Sequence, residues 1–315
     1  MNDIARWLLF FLYLVLMPAV VLGTIRKTKA RFQNRVGASV IQPLFDLFKF
    51  LKKTETISEV TSWIFRSTAA VNFVVVLIIA CLAPWTSLKP DVTNADIFLI
   101  VYLFGLMRFF TVLSALDAGS VFGGFGASRE VTLALLVEPA IVLCLASLGV
   151  VARTSDLTRV FSFPAQASMH MLSHQPSLWL IAGCGLFLAA LVELSRMPAD
   201  DPTTHLELTM VHEAMILENS GKNLALIEYT HWLKMSILLG LCGQCFMHAS
   251  GYFWHCRNWA RDVGSIVFLL LFALMIALIE SASVKLRWTK VPEFIAYSVG
   301  MSLLCMLIAI GGSIR

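Results

Sequence analysis

Runs of about 20 apolar residues recur along almost the whole chain, and they leave few folds open to it. A helix of that length crosses the hydrocarbon core of a bilayer, where only helices and closed barrels satisfy their own backbone groups. Eight such runs can be placed, near residues 5–24, 68–86, 96–117, 129–151, 177–195, 231–250, 262–281 and 292–311. Of the 315 residues 58% are apolar and 14% are charged, with a mean hydropathy of +0.79. A water-soluble domain carries about a quarter charged residues. The pattern predicts an all-α polytopic membrane protein, one membrane domain over 1–315 lying in a lipid bilayer. The first run lacks a small-residue cleavage site and leads into basic sequence, so it reads as a retained span. No Gly-rich phosphate loop follows a strand pattern, and the net charge of +4 reflects topology, so nothing points to a nucleic-acid partner.

Orientation follows from the basic residues. The connections after the first, third, fifth and seventh runs hold fifteen of the 24 Lys and Arg, against seven on the other side. Because Lys and Arg accumulate on the cytoplasmic side, this predicts cytoplasmic odd-numbered connections and both termini outside. Two of those connections, 26–66 and 196–230, exceed simple turns. In the first, Leu44, Phe48 and Leu51 share one helical face and Asp46, Lys49 and Lys53 another, which predicts an amphipathic helix at the interface or under a docked partner.

The second connection lies in the most acidic stretch of the chain, Val192–Tyr229. That stretch holds seven of the twenty carboxylates: Glu193, Asp200, Asp201, Glu207, Glu213, Glu218 and Glu228. Asp201-Pro202 has the form of an N-cap with proline at the first helical position, and Ser220-Gly221 supplies a stop. A helix over 202–219 is predicted. His205 and His212, two turns apart, would share its face. They read either as proton carriers between carboxylates or as a plain polar face, and the spacing lacks the i,i+4 form of a helical metal site.

Ionisable groups within spans are costly and suggest function. Arg108 and Glu138 fall mid-span, with Glu130 about 12 Å from Glu138 along the same helix. Lys234 lies just inside a span, and Glu193 and Glu280 close theirs, Glu280 reading as a snorkelling end residue. A lipid-facing position for Glu138 is close to excluded, which leaves structural pairing or a place in a proton relay. Cys242-x-x-Cys245-x-x-His248, followed by His255-Cys256, has no partner motif and reads as packing. Gly119-x-x-x-Gly123-Gly124-x-Gly126 reads as a flexible turn.

The acidic connection begins Glu193-Leu194-Ser195-Arg196-Met197-Pro198-Ala199-Asp200-Asp201-Pro202, an E-x-x-R-x-P-x-D-x-P core, and later has Glu218-Asn219-Ser220-Gly221. The first connection has Arg35-Val36-Gly37-Ala38, with alanine where R-x-G-P would have proline, then Gln42-Pro43-x-x-Asp46-x-x-Lys49. With eight spans, these resemble the quinone-channel subunit family of respiratory complex I over nearly the whole chain. The run Asp201-Pro202-Thr203-Thr204-His205-Leu206-Glu207, continuing to His212-Glu213, is closer to the membrane-bound [NiFe]-hydrogenase branch, formate hydrogenlyase included.

The resemblance implies a non-redox subunit of a bacterial or archaeal inner membrane. It would anchor hydrogenase large and small subunits that carry the Ni-Fe and Fe-S groups, and connect them to antiporter-like membrane subunits. The chain itself has no cysteine pattern for an iron–sulfur cluster, so no cofactor is expected in it. On this reading Glu193, Asp200, Asp201, Glu207 and Glu213, with His205 and His212, form the cytoplasmic mouth of an ion path. Glu130 and Glu138 continue it and Arg108 tunes it. Arg35, Asp46, Lys49 and Arg196 form the docking surface. A quinone-binding subunit and a non-conducting assembly anchor are the alternatives.

Overall fold

The computed structural model describes residues 3–89, 95–162, 175–200, 210–254 and 256–313. Among these the chain is all-helical: α1 Asp3–Phe32, α2 Gln42–Lys52, α3 Trp63–Leu82, α4 Ile97–Asp117, α5 Val121–Ala152, α6 Leu157–Val160, α7 Pro176–Glu193, α8 His212–Ile216, α9 Gly221–Ala249, α10 Asn258–Ala282 and α11 Val291–Ser313. Asp201, His205 and Glu207 lie outside the described residues, as does His255.

Seven helices are long and apolar enough to cross a membrane: α1, α3, α4, α5, α7, α10 and α11. The chain is an integral membrane protein. Helix α9, the remaining long one, carries His231, Lys234, Gln244 and His248 and so falls short in hydropathy. It is nevertheless central. It packs against α1, α2, α3, α7 and α10, and buries residues along almost its full length.

Three helices run well past their apolar segments. α1 continues to Phe32, α5 starts at Val121 and α9 at Gly221. Of the glycines expected to form a turn before α5, Gly119 does so at φ +65°, while Gly123, Gly124 and Gly126 are helical, two of them because they admit close neighbours. A Cβ on Gly123 would sit 2.7 Å from the Ala115 carbonyl oxygen, and one on Gly126 2.8 Å from that of Val211. Gly126 thereby seats α8 directly on α5.

The two long connections meet at one end of the bundle. Thr56 N donates to Ser220 Oγ at 2.9 Å, Ser220 Oγ donates back to Thr56 O at 3.0 Å, and Asn223 N donates to Glu55 Oε1 at 2.9 Å. Gly221, at φ +55°, makes that approach feasible, since a Cβ there would lie 2.8 Å from Thr54 O. The helix expected over 202–219 is broken in its described part: Met210 and Val211 are non-helical and α8 spans only His212–Ile216. Asp200 causes the break by accepting from Val211 N at 3.1 Å, which fixes the chain ahead of α8.

Helix α2 exists where the sequence places it, with a different inner face. Pro43 is buried, and Leu44 and Leu47 pack on the core, while Phe45, Phe48 and Leu51 are exposed. The preceding link lies tight against α1 at Gly23, where a Cβ would overlap the Val40 carbonyl. Gly23→Ala should raise helix propensity yet destabilise, by about 1–3 kcal/mol, because the link must be pushed off. Faster trypsin cleavage at Arg35 in membranes would report it; cleavage at the wild-type rate would contradict this packing.

Candidate functional site

Arg108 projects from mid-α4, itself 8% exposed, into a gap bounded by α5, α7 and α9. Three carboxylates converge on its guanidinium. Nη2 bonds Glu193 at the end of α7, Nη1 bonds Glu138, and Nε lies 3.5 Å from Glu130 Oε1. Lys234, from α9, places Nζ 2.6 Å from Glu193 Oε1. Two cations thus face three acids, and the cluster carries a net negative charge when all are ionised. Arg suits this position because its planar fork can serve several oxygens at once.

The two acids of α5 are not equivalent. Eight residues at about 100° each turn Glu138 roughly 80° around the helix from Glu130. The Glu130 side chain is 13% exposed and that of Glu138 is 42% exposed. The sequence argued against an outward Glu138, and the structure keeps its carboxylate on Arg108 while opening its flank to the side of the bundle. A small crevice lined by Val101, Phe104, Ile141 and Leu238 leads there.

On the other side of Arg108 lies a cavity of about 50 Å³, lined by Glu130, Glu193, Lys234, His212, His231 and the polar side chains of Asn72, Thr111 and Thr230. His212 therefore belongs to the site, and among the described residues it meets a histidine of another helix. Its ring stacks on His231 of α9, with centroids 4.6 Å apart and planes 27° apart. Burial first, then the charges of Lys234 and Arg196, lower the His212 pKa from 6.5 to about 4. The imidazole is therefore neutral at pH 7. His231 escaped sequence reasoning because one histidine in an apolar helix reads as packing; its signal was the i,i+3 spacing to Lys234.

The remaining predicted residues divide by location. Asp200 is 3% exposed and pairs with Lys285 at 2.5 Å. Glu213 is half-buried on α8. Arg35 and Lys49 are exposed at the surface, and half-buried Asp46 lies 3.7 Å from Arg26. Arg196, expected on the docking surface, is turned inward and 6% exposed. The cause is the end of α7: Ser195 takes a left-handed conformation (φ 48°) and Arg196 N bonds Leu191 O at 2.8 Å, a reversal that closes a helix and tucks the next side chain beneath it. Arg196 Nη1 then meets Glu280 Oε1 at 3.0 Å, and Lys29 meets Glu280 Oε2 at 3.2 Å. Glu280 is consequently held by two cations rather than snorkelling.

Away from the cluster, Cys242 and Cys245 are buried thiols, and His248 stacks on Trp179 at 4.5 Å. Among the described residues, no three His, Cys, Asp or Glu side chains gather in a way that could hold a metal ion.

The family model for NADH dehydrogenase matches residues 5–310, nearly the whole chain with both the cluster and the loops. The chain belongs to that family. Within it, this NADH dehydrogenase family member is 28% identical over 308 residues to formate hydrogenlyase subunit 4 of Escherichia coli (strain K12), covering 94% of this chain and 95% of that one. It is 30% identical over 235 residues to hydrogenase-4 component C of the same organism, covering 74% and 72%. The fold matches a chain of the membrane-bound sulfane sulfur reductase, an archaeal respiratory membrane complex, with a TM-score of 0.74 at 18% identity over 97% of this chain and 99% of that one. The protein is a complex I-like membrane subunit.

Proposed function

We propose that this chain is the membrane anchor and ion-coupling subunit of a hydrogenase-type, complex I-like assembly. It forms one membrane domain that crosses an inner membrane eight times, α9 included, with both termini outside. Hydrogenase large and small subunits dock on its cytoplasmic end, and antiporter-like subunits lie beside it in the membrane. The hydrogenase-type assignment is supported by the two Escherichia coli relatives, one of which matches almost end to end. A docking role for the α2 end is supported by its exposed Phe45 and Phe48 beside Arg35 and Lys49. That surface combines apolar area with positive charge.

The observation that carries the coupling role is the cluster itself: three acids and two bases drawn from four helices, most of them buried where hydropathy places the membrane. Ion pairs in such a place are expensive to build, and an apolar core would serve packing as well. The loop supplies the lever. Helix α8, on the same connection as Asp200, lines the cavity and rests on Gly126 of α5. A redox-linked shift of the docked arm would move α8 and re-weight the contacts of Arg108 among Glu130, Glu193 and Glu138. The acid released by Arg108 takes up or gives off a charge. Glu138, open on the flank, is where the path would leave for a neighbouring membrane subunit.

Glu138→Gln tests this reading. Its shape is kept and assembly of the complex should be intact, while ion movement per electron falls at least about tenfold, as expected on removing one titratable group from a relay. Undiminished coupled ion movement would sink the relay role of Glu138.

A further inference from the structure

His231 and its stacking on His212 have no role in the reading so far. The two rings lie between the loop and the acid cluster, and they share the cavity with it. We infer that His212 and His231 are a two-step proton carrier joining the α8 loop to Glu130, so that the ion moved is H⁺ and not Na⁺. The inference rests on the coupling role proposed above and specifies its ion and its route.

Geometry supports the route. His212 arrives on α8 and His231 on α9, and both rings line the roughly 50 Å³ space that Glu130, Glu193 and Lys234 also line. That volume has room for a few waters at about 10–15 Å³ of probe volume each. Waters there would find partners. Asn72 Oδ1 and Thr230 Oγ1 are buried without a hydrogen bond in the protein, and both residues line the cavity. Asn72 is itself oriented by donating from Nδ2 to Thr111 Oγ1 at 2.8 Å. A proton on an imidazole nitrogen can thus pass through water to a Glu130 oxygen. One N–H bond breaks, one O–H bond forms, the imidazole returns to neutral, and no electron moves.

Charge supports the ion. The groups facing the pair are Lys234 on its own helix, Arg196 from the loop, Arg108 from α4, Glu130 from α5 and Glu193 from α7. A sodium ion wants several oxygen ligands, as hard cations do. Both Glu193 oxygens and Glu130 Oε1 are already engaged by Arg108 and Lys234, which leaves too few oxygens for a sodium shell. Sodium would have to displace a fixed cation and sit beside two nitrogens of little use to it. A proton requires only a lone pair. The depressed pKa of His212 fits a carrier that is charged in passing and does not store the proton.

The test uses the whole complex in liposomes, driven by dithionite-reduced methyl viologen. A pH-sensitive dye follows H⁺, and radioactive sodium follows Na⁺. His231→Phe keeps an aromatic ring in the stack and removes its nitrogens. Proton movement per electron should fall on the order of 100-fold in that variant. His231→Ala, which leaves a gap, should recover proton movement when free imidazole is added, and a packing role would not respond so. Wild-type liposomes should accumulate no labelled sodium. Sodium accumulation at the expense of protons would overturn the inference, as would full proton movement in the His212→Phe, His231→Phe double variant. Glu130→Gln in the same liposomes separates the two layers. If it stops transport while the histidine variants do not, the relay falls and coupling stands. If neither changes transport, the coupling role falls with it.

Discussion

Arg108→Met is expected to cost about 3–5 kcal/mol and to keep the protein from accumulating in the membrane. Removing one partner of a buried ion pair is far worse than never having the pair, because the survivors remain charged and desolvated. Here the survivors are three. Glu193 keeps Lys234, but Glu130 and Glu138 lose the only cation that an ion pair gives them among the described residues. Methionine approximates the volume of the arginine stem, so the loss reports on charge rather than on a hole. Arg108→Lys should be intermediate, since a point charge on a flexible stem cannot reach three carboxylates. Arg108→Met with Glu130→Gln should recover part of the loss, because one of the two stranded charges is gone while Glu193 keeps Lys234. Abundance in membranes and thermal unfolding in detergent measure all three. Wild-type stability in Arg108→Met would mean that the cluster is not the electrostatic unit the geometry describes.

The membrane helices were legible because their signal is one of length and polarity, which needs no partner. α4, α7 and α11 start and end within a few residues of the runs read from hydropathy. The extensions of α1, α5 and α9 were not legible, since their basic or glycine-rich turns are stabilised by what they touch: Val40 against Gly23, Val211 against Gly126, Thr54 against Gly221. The same division holds in the site. Arg108, Glu130, Glu138 and Glu193 stand out as charges in apolar sequence, so they could be named from the chain. Which residue each one meets depends on helix rotation and on long-range contacts such as Glu193 with Lys234, 41 residues apart. Arg196 shows the limit most plainly. A conspicuous arginine in a loop reads as surface, and only the left-handed turn at Ser195 sends it inward.

That inward turn yields the second large effect. Glu280→Ala should cost about 3 kcal/mol and loosen the whole 194–200 segment. Its two cations do not suffer equally. Lys29 has a side chain 16% exposed and can carry its ammonium to water along its stem. Arg196 is enclosed, its other contact is Met235 Sδ at 3.5 Å, and its carbonyl accepts from Ala199 N and Asp200 N. Relieving the stranded guanidinium therefore means moving the backbone, including the bonds Asp200–Lys285 and Leu286 N to Pro198 O. Trypsin should then cut after Arg196 in the variant and spare it in the wild type. Glu280→Gln keeps an acceptor for Arg196 and should lose only about 1–2 kcal/mol. Because Asp200 also holds Val211 at the start of α8, Glu280→Ala should lower ion movement per electron although Glu280 lines neither cavity nor crevice. Lys29→Met should do much less. If Glu280→Ala resists trypsin as the wild type does, the Arg196–Glu280 pair does not anchor the loop, and the lever from docked arm to α8 must be sought elsewhere.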